Sequence, residues 1–317
     1  SNLKKWFFVC NAPQGLPTDV YKVLAEKQGQ YPEIEVGCLT NDQLWDMVRD
    51  LPIQLRTEIL GIAPAGHADA FVTPARGDNF NDIENPWILM AHDPISPISI
   101  RSATEALLPE KPFGAPFYIR PADYLDWTTA AEYQRQKWEE LREITWDLSP
   151  QYALYTIAPI PLAIHLGFVV SDRVDLTCFH YHRDKRTWSW PAQGIPKGLE
   201  LHLRDNVPEP IDAATDIVLC ISLSASVLLT QLSGVVDPQF PRFEITTENP
   251  DVRWLQSPNQ LSDLGDKFLD AVQRIRSAVP NYRRIHLFYA GPSAGAVVIG
   301  QRINPRMMEP VDLYQYS

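Results

Sequence analysis

One stretch near the C-terminal end constrains the fold more than any other. Residues 284–302 have the sequence RIHLFYAGPSAGAVVIGQR, in which an apolar run is followed by Gly291, Pro292 and Ser293 and then by small residues. This order is typical of a parallel strand that ends in a tight turn and continues into a helix. Unpaired N–H groups at a helix start lie at the positive end of the helix dipole and can hold phosphate or another acceptor. We therefore predict an α/β fold with a ligand site at this turn.

Two further stretches repeat this design. In residues 216–226, DIVLCISLSAS, an apolar strand runs into alternating serines. We predict that Ser222 and Ser224 cap a helix that starts near Val227 and face the same crevice, because ligands collect at the carboxyl ends of parallel strands. The third stretch is a strand over residues 152–157, which meets APIP and then a helix with proline in its first turn.

A hairpin is predicted between these stretches. Residues 174–182 form its first strand, and Trp188 to Trp190 form its second across the turn RDKRT. The turn carries a local positive cluster of Arg183, Lys185 and Arg186, and the aromatic residues Trp188 and Trp190 lie next to it in the sequence. Since the two tryptophans alternate along a strand, we expect at least one of them in the core, and the RDKR run also fits a solvated turn.

Composition narrows the class of protein. The 317 residues are 45% hydrophobic, so they can bury one large core or two modest ones, and we expect at least two domains. The net charge of -11 argues against a broad surface for duplex DNA, which needs clustered lysine and arginine. A small anionic ligand in a locally basic pocket remains compatible with this charge.

Cysteine use and hydropathy indicate a cytoplasmic, soluble protein. The four cysteines lie far apart without a CxxC motif, each in an apolar, strand-like stretch, and we expect buried, reduced thiols. No apolar stretch approaches the roughly 20 residues that a membrane span needs, and the chain does not start with a signal peptide.

The beginning of the chain predicts a β-α-β-α unit. Its elements are a strand over residues 5–11, a helix over 19–28, a strand over 34–39 and a helix over 41–51. Residues 61–127 are rich in proline, glycine and aspartate, and we interpret them as irregular connection with a domain boundary between 62 and 100. A helix with an aromatic-rich face follows over residues 128–146, and its stripe fits core or interface packing.

The sequence was also compared with the patterns of four other functions. Gly291 to Gly295 form a G-x-S-x-G motif, but no histidine follows Ser293, so the order of a serine hydrolase is incomplete. Cys178, His180 and His182 lie on one strand face, but zinc usually takes four ligands and no fourth is near in sequence. A dinucleotide enzyme lacks both G-x-G-x-x-G and a P-loop. A protein-interaction module without ligand stays open.

Several segments together resemble the SAVED family. They are residues 157–167, the HYH and WSW strands of the hairpin, residues 221–226, residues 286–300 and the terminal residues 310–316. The resemblance implies two fused, CARF-like Rossmann-type halves over residues 98–317, divided near 205. It also implies a receptor for cyclic oligonucleotides in anti-phage signalling, in CBASS and some CRISPR systems, that assembles on binding and switches on a fused effector.

The N-terminal residues resemble a second family. WFFVCNAPQGLP over residues 6–17, followed by IEV and QLW, is similar to the distal half of restriction-endonuclease-like PD-(D/E)xK domains. We therefore expect residues 1–97 to be a partial nuclease-like segment with a Pro-rich connection. The carboxylates that hold Mg²⁺ in that family lie upstream of this segment, so the chain should not cut DNA, and Mg²⁺ or DNA would act only through an upstream nuclease domain.

The SAVED resemblance gives the candidate residues their roles. Ser222, Ser224, Gly291, Pro292 and Ser293 would lie under the ring of the cyclic oligonucleotide, with Pro159 at the third turn. Arg183, Lys185 or Arg186 would neutralise phosphate, and Tyr289, Trp188 or Trp190 would stack on a base. We predict no catalytic residue and no metal ligand in this chain, a homo-oligomer on ligand binding, and no membrane contact.

Overall fold

The structure is a computed structural model that describes residues 5–10, 18–32, 35–40, 85–145, 148–191, 194–195 and 197–315. The chain separates into two compact units. The described residues up to Thr40 belong to the first unit, and those from Asn85 onward belong to the second. Within these ranges no helix is both long enough and apolar enough to span a lipid bilayer.

The first unit contains a small parallel sheet. Strand β1 (Lys5–Cys10) and strand β2 (Glu35–Thr40) pair in parallel with Lys5 opposite Glu35, and helix α1 (Thr18–Gln30) connects them. The first three predicted elements are thus confirmed. The helix predicted over residues 41–51 lies outside the described residues, and the origin of this unit in a nuclease domain stays a prediction.

The second unit begins with a four-stranded parallel sheet in the order β4-β3-β5-β6. Its strands are β3 (Trp87–His92), β4 (Phe117–Ile119), β5 (Gln151–Thr156) and β6 (Leu176–Phe179). The helices between and after them are α2 (Ile100–Leu107), α3 (Trp127–Thr145) and α4 (Ile160–Val170). The predicted aromatic-faced helix is α3, and its Trp138 and Leu141 are buried in the core.

A five-stranded sheet in the order β11-β10-β8-β9-β7 follows. Its strands are β7 (His202–Asp205), β8 (Ile217–Ser222), β9 (Arg242–Thr246), β10 (Ile285–Ala290) and β11 (Val311–Leu313), of which only β7 is antiparallel to its neighbour. The helices are α5 (Leu229–Leu232), α6 (Pro258–Ala278) and α7 (Ser293–Arg302).

Both sheets have the same topology. In each, four parallel strands lie in the spatial order second, first, third, fourth, and a helix follows the third strand. Strand β8 is buried along its whole length, as expected for a parallel strand covered on both faces. The predicted α/β fold with two Rossmann-type halves is therefore confirmed.

Strand pairing bears on two predicted boundaries. Residues 61–127 were predicted to be irregular, but residues 87–92 form a strand at the centre of the first sheet, paired with β4 and β5. A boundary after residue 97 would separate this strand from its partners. A division near 205 would likewise detach β7, which pairs with β9 of the second sheet. We therefore propose that the sensor unit begins before Trp87 and its second half before His202.

Helices α4 and α7 join the two halves at close range. A Cβ atom added at Gly167 of α4 would overlap the carbonyl oxygen of Val297, and one added at Gly300 of α7 would overlap that of Ile164. Each helix thus contributes a glycine against the backbone of the other. Because side chains of both halves belong to one hydrophobic core, the halves form a single packed body.

Candidate functional site

A cleft of about 900 Å³ lies at the carboxyl ends of strands from both sheets. Its walls come from the ends of β5 and β10, from the segment after β6 and from the loops that follow β8 and β9. In open α/β sheets this edge is where ligands bind, because strand ends and helix N-termini meet there. The cleft therefore lies where the carboxyl ends of strands from both halves come together.

Hydrogen bonds between the turns fix the shape of the cleft. The Ser224 N–H donates to the Ala290 carbonyl oxygen at 2.8 Å, which joins the end of β8 to the end of β10. The Asp251 N–H donates to Leu223 O at 2.9 Å and holds the loop after β9 beside them. Ser293 Oγ donates to Ala158 O at 3.2 Å, across the two halves.

The cleft is locally more basic than the chain. Its lining carries the basic residues Arg183, Lys185 and Arg253 and the acidic residues Asp184 and Asp251, in a chain of net charge -11. Arg253 is already paired, with its Nε 3.2 Å from Asp251 Oδ1. The other two basic side chains are exposed and make no hydrogen bond or ion pair with the described residues, so they can receive an anion.

The comparison with protein families identifies this unit. A family model described as SAVED, the SMODS-associated and fused to various effectors sensor domain, matches residues 134–317, which is more than half of the chain. The chain belongs to the SAVED family. No curated protein matches the chain.

The solved structures that this chain resembles include Cap4 receptors, and the first of those below shares its fold. The Acinetobacter baumannii Cap4 SAVED/CARF-domain containing receptor with 2'3'3'-cAAA has a TM-score of 0.51 at 14% identity, covering 93% of this chain and 69% of that chain. The same receptor with 3'3'3'-cAAA gives 0.49 at 14% identity, covering 98% and 78%. The Moraxella osloensis Cap4 receptor gives 0.47 at 14% identity, covering 94% and 70%. At this identity the likeness concerns the fold alone.

The SAVED cleft brings together residues from two of the predicted turns and the basic cluster. The predicted residues that line it are Arg183, Lys185, Ser224, Gly291, Pro292 and Ser293. Helix α7 begins at Ser293, so its unpaired N-terminal N–H groups lie at the cleft wall. The GPS turn therefore can supply both backbone donors and a hydroxyl to a ligand.

The three predicted aromatic residues do not line the cleft. Trp188 is 1% exposed and packs on Tyr155, with ring centroids 5.1 Å apart. Tyr289 is 7% exposed, and its hydroxyl donates to Pro292 O at 2.9 Å, so it supports the turn from below. Trp190 is half-buried beside His182, with ring centroids 5.6 Å apart. In this structure none of the three rings lines the cleft, and base stacking by them stays a prediction.

Three more predicted residues lie beside the cleft. Ser222 is fully buried; its Oγ donates to Glu244 at 2.7 Å and accepts the Val227 N–H at 3.1 Å, so it organises the loop without facing a ligand. Pro159 precedes α4 and is buried. Arg186 is exposed with φ of 52°, in the turn. The predicted hairpin is reduced to one isolated bridge, from His182 to Thr187.

Part of the lining was not predicted from the sequence. Thr156, His180, His182 and the loop over residues 249–256 also face the cleft. The loop could have been found, because an alternating strand pattern over residues 242–246 runs into Asn-Pro-Asp and then into a helix that begins at Pro258. It follows β9 as the other turns follow β8 and β10.

The geometry supports neither a serine hydrolase nor a metal site. Ser293 Oγ hydrogen-bonds a backbone carbonyl, and this bond gives it no base to take its proton. Within the described ranges, no three His, Cys, Asp or Glu side chains are placed to hold a metal ion. Cys178 is buried and free, and burial raises the pKa of its thiol to about 12, so it is not a ready thiolate ligand.

A buried polar chain supports Thr156 at the cleft. His92 is fully buried; its Nε2 lies 2.7 Å from Gln134 Nε2 and its Nδ1 lies 3.1 Å from Thr156 Oγ1. Since the amide donates to Nε2, the imidazole proton lies on Nδ1 and is donated to Thr156. Gln134 Oε1 in turn accepts from His165 Nδ1 at 2.8 Å. Burial, with a smaller contribution from His165, lowers the pKa of His92 to about 3.

Because His92 is buried and neutral, we predict that acid lowers the folding stability of the protein. Unfolded His92 takes up a proton near its ordinary pKa of 6.5, whereas the folded protein keeps it neutral down to about pH 3. Stability should therefore fall as pH drops below 6.5, by about 1.4 kcal/mol per pH unit from this group. Urea unfolding between pH 4 and 7 tests this, and His92→Asn should flatten the slope by that amount. An unchanged slope in the variant would contradict a neutral, buried His92.

Proposed function

We propose that this chain is a receptor for a cyclic oligonucleotide second messenger in bacterial anti-phage defence. Membership of the SAVED family supports this, and so does the likeness to Cap4 receptors solved with cyclic trinucleotides. The observation that carries the proposal is the cleft between the halves, which combines the α7 N-terminus with the unpaired side chains of Arg183 and Lys185. A bound phosphate needs backbone N–H donors and cationic side chains that are not already paired.

The size of the cleft fits a ring of two to four nucleotides. We propose that adenine is among its bases, since the similar Cap4 receptor was solved with the cyclic trinucleotide 2'3'3'-cAAA. A volume of about 900 Å³ lies near the upper end of known ligand pockets, which hold about 300–1,000 Å³. Hydroxyl and backbone groups at Ser224 and Ser293 can contact sugars or phosphates, while Arg183 and Lys185 neutralise charge. The ring is the ligand, and no cofactor is part of the proposal.

Binding would act on an effector through self-association of the receptor. A ligand can shift an assembly equilibrium only if it favours one arrangement over the other. Val252, at the cleft, is 75% exposed and offers an apolar contact there to a second copy. The effector would be a DNA endonuclease in the cytoplasm, fused upstream or associated, and Mg²⁺ and DNA would belong to it. Light scattering that gives the same mass with and without bound ligand would contradict this step.

Thermal unfolding against a panel of cyclic di-, tri- and tetranucleotides tests the receptor directly. A ligand at one hundred times its dissociation constant stabilises the native state by about 2.7 kcal/mol, so one ring should raise the melting temperature selectively. Linear oligonucleotides of the same sequence are the control, since they carry the same bases and phosphates without closure. A melting temperature that no ring changes would contradict the proposal.

A further inference from the structure

One nitrogen in the cleft wall is buried without a partner. His182 lines the cleft and is 6% exposed, and its Nε2 has no hydrogen-bond partner in the described part of the chain. Buried polar atoms in folded proteins are nearly always paired, because an unpaired one loses its bonds to water and gains none. Because the residue lines the cleft, a group of the ligand can supply the missing partner.

The surrounding turn holds this imidazole in place. The backbone N–H of His182 donates to Thr187 O at 2.8 Å. The backbone carbonyl oxygen of His182 accepts from Lys185 N at 3.2 Å and from Thr187 N at 3.3 Å. Its ring meets those of His180 and Trp190 edge to face, with centroids 4.9 and 5.6 Å away. The backbone bonds and the two ring contacts restrict the orientation of the imidazole, as a selective contact requires.

The charge of His182 decides what it can recognise. Burial lowers its pKa, nearby Asp184 opposes this shift, and Lys185 adds to it. The pKa of neighbouring His180 falls to about 3, mainly through burial, and Asp251 and Arg253 complete the charged groups of the cleft, together with Arg183. Both imidazoles are therefore neutral near pH 7. A neutral imidazole has one donor and one acceptor nitrogen and suits an uncharged polar group.

We propose that His182 Nε2 hydrogen-bonds a nucleobase of the ligand and so sets which bases this receptor accepts. The proposal rests on the proposed function and adds the residue that gives it specificity. Phosphates are the same in every ring, whereas the bases differ. A contact to a base therefore changes the preference between rings, and a contact to phosphate changes the affinity for all of them. Arg183 and Lys185, beside His182, supply the phosphate contacts.

Calorimetric titration at pH 7 with two rings of equal size and linkage, one all-adenine and one all-uracil, tests this. We expect the wild type to discriminate between them and His182→Phe to reduce the ratio of affinities about tenfold. The variant should not melt at a lower temperature, because no hydrogen bond is lost and the aromatic contacts remain. Lys185→Ala, the matched control, should lower both affinities by the same factor.

Two results would overturn the proposal. The first is an unchanged ratio of the two affinities in His182→Phe, whether or not both affinities fall. The second is a rise of the wild-type affinity for both rings from pH 8 to pH 6, as a protonated contact to phosphate requires. If His182→Phe folds poorly, His182→Leu gives the same comparison. Failure of the wild type to bind any ring of the panel is a different outcome, which rejects the receptor function together with this inference.

Discussion

Gly300→Ala is expected to lower the free energy of unfolding by about 3 kcal/mol, the upper end of the usual cost of overpacking. The added methyl group would overlap the backbone carbonyl of Ile164 in the facing helix. A backbone atom cannot turn away as a side chain can, so α4 and α7 must separate. This movement would also shift Ser293, at the start of α7, away from Ala158. Urea unfolding of the purified variant measures the effect.

Gly265→Ala is the matched control for this experiment. Gly265 lies within helix α6, and the nearest atom to an added Cβ is Arg302 Nε at 3.0 Å, on a flexible side chain that can move. Alanine also favours a helix over glycine by about 1 kcal/mol. The control should therefore stay within about 1 kcal/mol of the wild type. Equal stability of the two variants would contradict the close helix contact that joins the halves.

Ser293→Leu should weaken ligand binding at least about a hundredfold, equivalent to about 2.7 kcal/mol. The larger apolar side chain would occupy the cleft wall at the α7 N-terminus and remove the hydroxyl. Loss of its bond to Ala158 O costs stability only about 1 kcal/mol. Binding should thus fall while the fold persists. Titration with the ring selected by the thermal panel, alongside a melting curve, separates these two effects.

Ser277→Leu controls for the added apolar surface. Ser277 lies near the end of α6, is exposed and does not line the cleft. Its replacement should leave the affinity for the ring within about twofold of the wild type. Unchanged affinity in Ser293→Leu would remove the Gly291 to Ser293 turn from the site.

The sequence predicted those parts of the site that local patterns encode. An apolar run followed by Gly-Pro-Ser and small residues marks a strand, a turn and a helix, and β10 and α7 have this form. Strand β3 was missed because its six residues follow a Pro-rich region, and its pairing with β4 and β5 depends on residues far along the chain. The strand itself is apolar, with the sequence WILMAH, but a short apolar run inside a Pro-rich region does not by itself distinguish a strand from a loop.

Side-chain direction explains why some predicted site residues do not line the cleft. Strands β8 and β10 are buried on both faces, so both sets of alternating side chains are mostly apolar. The apolar pattern therefore does not tell which side chains near the end of a strand point into the protein and which point toward the cleft. Ser222 and Tyr289 accordingly lie within the body of the protein, although they adjoin turns that line the cleft. His182 could have been found only as one member of the HYH strand, where the same pattern also suggested a metal site.

We expect one cyclic oligonucleotide to bind in the cleft between the two halves. A structure of the chain determined with the ring that the thermal panel selects shows directly where the ligand lies. It should contain one ring per cleft, with its phosphates at Arg183, Lys185 and the N-terminus of α7 and a base at His182. A ring bound outside this cleft, or one that leaves the Gly291 to Ser293 turn without contact, would contradict it.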